Sequence, residues 1–116
     1  MLCISGDGSA LYTIQALWTA AHHRVPVVFV IINNRVYRIL KYNMNRFRAI
    51  AGVEGHGGSY RHLDLTDPDI DYVSVARGFG VEGRRVSAPE EVGPAVEEAF
   101  ASGAPRLIEL VVDGTV

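Results

Sequence analysis

The run Val27-Val28-Phe29-Val30-Ile31-Ile32 constrains this chain more than any other feature. It is apolar at every position and mostly β-branched, so both of its faces need cover. That pattern marks a central strand of a parallel sheet. Ahead of it, Leu11, Ile14, Leu17, Trp18 and Ala21 recur at helical spacing, which predicts a helix over residues 10 to 23. Tyr12, Ile14, Leu17 and Trp18 are expected in the core. Further back, Leu2 to Ser5 is a short apolar run that ends at glycine, the pattern of a buried strand. Arg24 and Val25-Pro26 supply the turn between helix and second strand. Strand, helix, strand in this order is a βαβ unit with a right-handed crossover.

The alternation continues. A helix is predicted from about Val36 or Tyr37 to about Phe47. Residues 51 to 65 hold four glycines and two histidines with little periodicity, and are expected to form a mobile loop. Thr66-Asp67-Pro68 reads as a helix start, because cap residues precede a proline. That helix carries Ile70, Val73 and Ala76 and stops at Gly78. Val81 to Val86 is a predicted strand. Ser87-Ala88-Pro89-Glu90 matches a capping box and opens a helix to about Ser102, with Pro94 distorting its early turns. Arg106 to Val112 closes the pattern as a strand. The expected class is α/β, with a mostly parallel sheet flanked by helices in one domain spanning residues 1–116.

A length of 116 residues suits one small core. The formal charge of −2 leaves no basic footprint for nucleic acid. No apolar run is long enough for a transmembrane helix, and no membrane association is expected. Cys3 is the only cysteine, so an intrachain disulfide is impossible. In its apolar strand it reads as a buried, inert thiol, and the cytoplasm is the expected location.

Gly6-Asp7-Gly8-Ser9 ends the first predicted strand, and Asn33-Asn34 ends the second. In parallel sheets, ligands bind beyond the carboxyl ends of the strands. The βαβ connection brings these two ends to one edge, where an aspartate and an asparagine converge as hard oxygen donors. That pairing suits magnesium, which keeps substrate phosphates as further ligands. Gly6 and Gly8 let the backbone approach a phosphate closely. The amino ends of the two following helices point at the same place.

Gly6-Asp7-Gly8, 24 intervening residues and Asn33-Asn34 resemble the cofactor motif of thiamine-diphosphate-dependent decarboxylases, acetolactate synthases and their relatives. Gly6 to Ala10, Ala16 to Ala21 and Phe29 to Ile31 look most like the benzoylformate decarboxylases. The likeness covers nearly the whole chain, including the closing Pro105 to Val111 strand. It implies part of a thiamine-diphosphate-binding fold, with Asp7, Asn34 and the Val36 carbonyl as magnesium ligands. The implied cofactor contacts come from Gly6, Gly8, Ser9 and Asn33, with the backbone at Tyr37 and Arg38. The family often has glycine where Arg35 and Arg38 stand, and an arginine there can reach a phosphate. Leu40 stands where pyruvate decarboxylases carry a catalytic glutamate. Leucine there implies an apolar pocket for an aromatic or branched 2-keto acid.

The resemblance also implies what lies elsewhere. The glutamate that protonates the cofactor's pyrimidine ring belongs to a separate amino-terminal domain. The apolar residue that bends the cofactor lies just upstream. This chain alone is therefore expected to be an inactive portion of a decarboxylase (a lyase) or of an acetolactate synthase-like carboligase. A piece of a longer protein, a misplaced start or a split subunit would each explain its length. Missing amino-terminal domains or a partner subunit, and a homo-oligomer, are the implied partners. A non-catalytic cofactor-binding remnant is the rival reading.

Blander readings exist for each residue. Asp7 can cap a helix, and Asn33-Asn34 can form a turn. Gly78 to Gly83 spells a dinucleotide fingerprint, but it follows a helix and precedes a strand, the reverse of what that motif needs. Asp64, Asp67, Asp69 and Asp71 lack the glycine of a calcium loop. His22 and His23 suit a helix end. His56 and His62 lie in the predicted loop, where either could face a substrate.

Overall fold

The computed structural model describes residues 1–53, 60 and 62–115. Four strands form one parallel sheet: β1 (Leu2–Gly6), β2 (Val28–Asn33), β3 (Glu82–Val86) and β4 (Arg106–Val111), in the order β1-β2-β4-β3. The helices are α1 (Asp7–Ala10), α2 (Ala16–His22), α3 (Arg38–Ala51), α4 (Tyr72–Gly78) and α5 (Pro89–Ala101). The α/β class and the parallel sheet are as the sequence predicts.

The doubly apolar run lies in β2, beside β4, and the two faces of these strands feed two cores. On one face Ile31 and Leu107 pack with Ala10, Leu17, Tyr72 and Ala76. On the other, Val28, Val30 and Ile108 pack with Val86 of β3 and with Ala95 and Ala99 of α5. Each buried aliphatic side chain contributes about 1.5–3 kcal/mol. Gly83 lets α4 lie close to β3, since a Cβ there would come 3.2 Å from Val73 Cα.

Several expectations need correction. β1 is an edge strand, and Leu2 and Ile4 are 47% and 64% exposed rather than buried. Cys3 is exposed with it. The predicted helix over 10 to 23 is two pieces, α1 and α2, joined by turns through residues 11–15. Leu17 is buried, but Trp18 and Tyr12 are exposed, because the described elements put nothing over that side of the helix. Trp18 stacks instead on His22. α3 runs four residues beyond Phe47 and ends at Gly52 in the left-handed conformation.

Thr66-Asp67-Pro68 does not start a helix. Asp67 takes a left-handed φ of 59°, and the chain turns until Asp71, whose carboxylate accepts from the Ser74 N–H and hydroxyl. This cap sets the start of α4, and the Ser74 bonds hold the Asp71 carboxyl below its usual range. α4 does stop at Gly78. The Ser87 capping box is also unrealised: Ala88 is the cap residue, Pro89 follows, and α5 continues through Pro94. Gly78 to Gly83 is a helix stop, turn and strand, as read from its context.

Of the 51 to 65 segment, His56 lies outside the described residues. The described end of it is tied down. Tyr37 N–H donates to the Leu63 carbonyl and Leu65 N–H to the Arg35 carbonyl, both at 2.8 Å, around an antiparallel Val36–Asp64 bridge. Among the described residues, no helix is long and apolar enough to cross a membrane.

Candidate functional site

β1 and β2 run side by side in register, with Gly6 opposite Ile32, so their carboxyl ends open at one edge. An open cleft of about 500 Å³ lies there, lined by Gly6, Asp7, Gly8, Ser9, Asn34, Val36, Tyr37, Arg38, Ile39 and Tyr42. Eight of the ten residues expected at the site therefore meet in one place. The other two do not line it. Leu40 is 47% exposed on α3, one residue past Ile39. Asn33 is buried, and its side chain is engaged on the far side of the turn.

Asp7 is 4% exposed, and each of its carboxylate oxygens accepts one backbone N–H. Oδ1 takes Gly8 at 2.8 Å and Oδ2 takes Arg35 at 2.7 Å. An ionised carboxylate has about four acceptor positions, so both oxygens retain capacity toward a cation. Asn34 Oδ1 accepts from Val36 N–H at 3.1 Å and likewise keeps a free lone pair. The roles of Asp7 and Asn34 as local turn-formers leave these oxygens able to accept further contacts from the cleft side. The Val36 carbonyl, which accepts from Arg38 N–H at 2.8 Å, is the third oxygen of the set. A carboxylate, an amide oxygen and a carbonyl suit a hard cation that keeps other ligands.

Close packing shapes the cleft floor. A Cβ at Gly8 would lie 2.3 Å from the Tyr37 ring, so only glycine allows this approach. Arg35 adopts φ 59°, a left-handed turn that favours glycine. Its side chain points away from the cleft, with Nε 3.5 Å from Asp69. Arg38 lines the cleft, and its Nε donates to the Thr115 carbonyl at 3.0 Å.

Sequence reasoning missed three residues beneath the cleft. Glu109 is fully buried, accepting from Asn33 Nδ2 at 2.7 Å and from Arg85 Nε at 2.9 Å. Tyr72, also buried, donates its hydroxyl to the Asp7 carbonyl at 2.9 Å. Burial, followed by the nearby charges of Asp7 and Glu109, pushes that hydroxyl well above its ordinary value. An acid inside the apolar strand Leu107 to Val111 was the legible signal, since buried charges are kept only when paired.

A second cleft, about 280 Å³, lies at the opposite end of β3 and β4. Two of its arginines, Arg84 and Arg106, are paired with Glu98 and Glu82. Among the described residues no three His, Cys, Asp or Glu side chains gather as a metal cluster. Among the described residues the Asp64–Asp71 carboxylates thus form no such group, and the oxygens that face the first cleft are of mixed type.

This arrangement belongs to a known class. Residues 1–110 match the family of the thiamine pyrophosphate enzyme, C-terminal TPP binding domain, and the chain is a member of that family. It is 41% identical over 107 residues to a benzoylformate decarboxylase of Pseudomonas aeruginosa, covering 92% of this chain and 18% of that one. An acetolactate synthase large subunit, IlvG, of Mycobacterium tuberculosis is 33% identical over 116 residues, covering 100% of this chain and 19% of the relative. The solved thiamine diphosphate-dependent 4-hydroxybenzoylformate decarboxylase of Rhodococcus jostii superposes with a TM-score of 0.77 at 39% identity, over 97% of this chain and 19% of that one. The chain spans about a fifth of the length of the curated relatives it matches.

Proposed function

We propose that this chain anchors the diphosphate of thiamine diphosphate through magnesium, as the cofactor-binding portion of a benzoylformate decarboxylase-like enzyme. The observation that carries this reading is the meeting of Asp7, Asn34 and Val36 in one cleft at the strand ends, in a member of this family. Asp7, Asn34 and the Val36 carbonyl would hold the cation. Gly6, Gly8, Ser9 and the backbone at Tyr37 and Arg38 would border the diphosphate, with the Arg38 guanidinium available to it. Asn33 serves this set from behind, through the turn it pins.

When bound, the cofactor supplies a nucleophilic carbon and an electron sink for the decarboxylation of a 2-keto acid. The residues of this chain grip its tail and exclude water from the phosphate end. Ile39, which lines the cleft, favours an apolar substrate end, consistent with an aromatic or branched 2-keto acid, while Leu40 lies outside the cleft. Activation of the cofactor falls to residues of another domain or subunit. In isolation the chain is therefore inactive, and in the working enzyme it sits in a homo-oligomer. A cytoplasmic location suits its single cysteine. Acetolactate synthase-like carboligation is the second reading, favoured by acetolactate synthase relatives that align over the whole chain.

Calorimetric titration with thiamine diphosphate, with and without Mg2+, tests the anchoring role. The expected result is binding that requires the cation; equal binding without it would overturn the reading. Carbon dioxide release from benzoylformate and pyruvate, run beside light scattering, tests the rest. Turnover by a monodisperse monomer would show a complete catalytic apparatus within these residues.

A further inference from the structure

Glu109 touches nothing in the cleft, yet it stands at the root of the bonds that aim Asp7. Its Oε1 accepts from Asn33 Nδ2 at 2.7 Å, which leaves Asn33 Oδ1 directed at the Arg35 N–H, 3.1 Å away. That same N–H donates to Asp7 Oδ2 at 2.7 Å. Arg35 is also the left-handed residue of the turn, a conformation that a non-glycine residue keeps only when its surroundings hold it. Arg85 grips the other Glu109 oxygen at 2.9 Å, from the neighbouring strand. The chain of contacts runs Arg85, Glu109, Asn33, Arg35, Asp7, and crosses three strands.

We propose that Glu109 is a positioning residue for the cation site, setting the Asp7 carboxylate through Asn33 and the strained Arg35 turn. The inference rests on the reading of Asp7 as a cation ligand and extends it to a residue outside the cleft. Partners behind a metal ligand typically carry about 10–100-fold in metal affinity. The chemistry also dictates an unusual rescue. Glu109→Gln leaves one acceptor oxygen for two donors; the charged Arg85 is the stronger claimant, so the amide NH2 turns to the Asn33 NH2 and that bond is lost. Adding Asn33→Asp reverses the polarity: the new amide donates, the new carboxylate accepts, and the Arg35 N–H still finds an oxygen.

The experiment measures two things on the 116-residue chain. One is amide hydrogen exchange at Arg35 and Gly8 without metal. The other is Mn2+ affinity, by its paramagnetic resonance signal, in the presence of thiamine diphosphate. Glu109→Gln is expected to quicken Arg35 exchange and weaken Mn2+ about 10–100-fold, and the double variant is expected to restore both. Unchanged Arg35 exchange in Glu109→Gln, or a folded double variant that restores neither quantity, would overturn the proposal. If Glu109→Gln does not fold, Arg85→Gln loosens the carboxylate from its half-exposed side, and Arg35 exchange must quicken there or the proposal fails. A wild-type chain that binds no Mn2+ would instead overturn the cation-site reading, and the exchange data would still decide the role of Glu109.

Discussion

The turn at the end of β2 and the helix that follows it are adjacent in sequence and opposite in character. Around the turn, Asp7, Asn33, Glu109 and Tyr72 are buried, and every polar contact among them has a partner. In α3, none of the 14 residues is buried, and Ile39, Tyr42, Phe47 and Ile50 are all more than half exposed. The first region is settled by contacts within this chain. The second presents apolar surface that a soluble domain rarely leaves open. One side of the cleft is thus closed by contacts within the chain, and the other, from Ile39 to Tyr42, lies open among the described residues.

Breaking the closed side should have the largest effect. Asp7→Ala removes the only carboxylate lining the cleft among the described residues, and magnesium-dependent cofactor affinity is expected to fall by more than about 100-fold, beyond what outer partners carry. Titration calorimetry reads this; wild-type affinity would mean the cation is held elsewhere. Gly8→Ala drives a methyl into the Tyr37 ring and should cost about 1–3 kcal/mol of stability. A thermal melt measures it, and pairing the change with Tyr37→Ala should return most of the loss.

Tyr72→Phe leaves the Asp7 carbonyl without its donor, at about 1–2 kcal/mol. The pH dependence has a definite sign. The folded hydroxyl titrates above its ordinary value of 10.0, so its contribution is full below that pH and is lost as pH rises past it. Denaturant titrations at stepped alkaline pH should show this slope in the wild type and a shallower one in Tyr72→Phe. The smallest effect belongs to a third region, the edge of β1. Ile4→Lys, on the open edge of β1, should change stability by no more than about 0.5 kcal/mol. It should still weaken self-association in sedimentation experiments, because charge on an edge strand opposes pairing. Unaltered association would shift attention to α3.

The same contrast explains what the sequence disclosed. β2 was legible because no other element is apolar on both faces for six residues. The convergence of Asp7 with Asn34 followed from βαβ geometry alone. The division of labour between Asn33 and Asn34 did not, although strand alternation carries it: Asn33 shares a face with Ile31 and so turns toward Glu109. Trp18, Leu2 and Ile4 were misplaced because periodicity reports which side is apolar and not whether anything lies against it. The start of α4 was misread because two sets of cap residues compete within six positions, and only the Asp71–Ser74 bonds decide between them.

The strand order has a temporal consequence. β4, the last of the four strands to be synthesised, lies between β2 and β3 and pairs with both. Until residues 106–111 have left the ribosome, β2 has one open edge and β3 has no partner in this sheet. The most apolar segment of the chain then waits through more than seventy residues of synthesis for its neighbour. Pairing across such a separation is slow, and an uncovered strand of this composition is prone to stick to others meanwhile. Nascent chains stalled with residues 106–111 still inside the ribosome should therefore be far more susceptible to protease, and to capture by chaperones, than chains in which that strand has emerged.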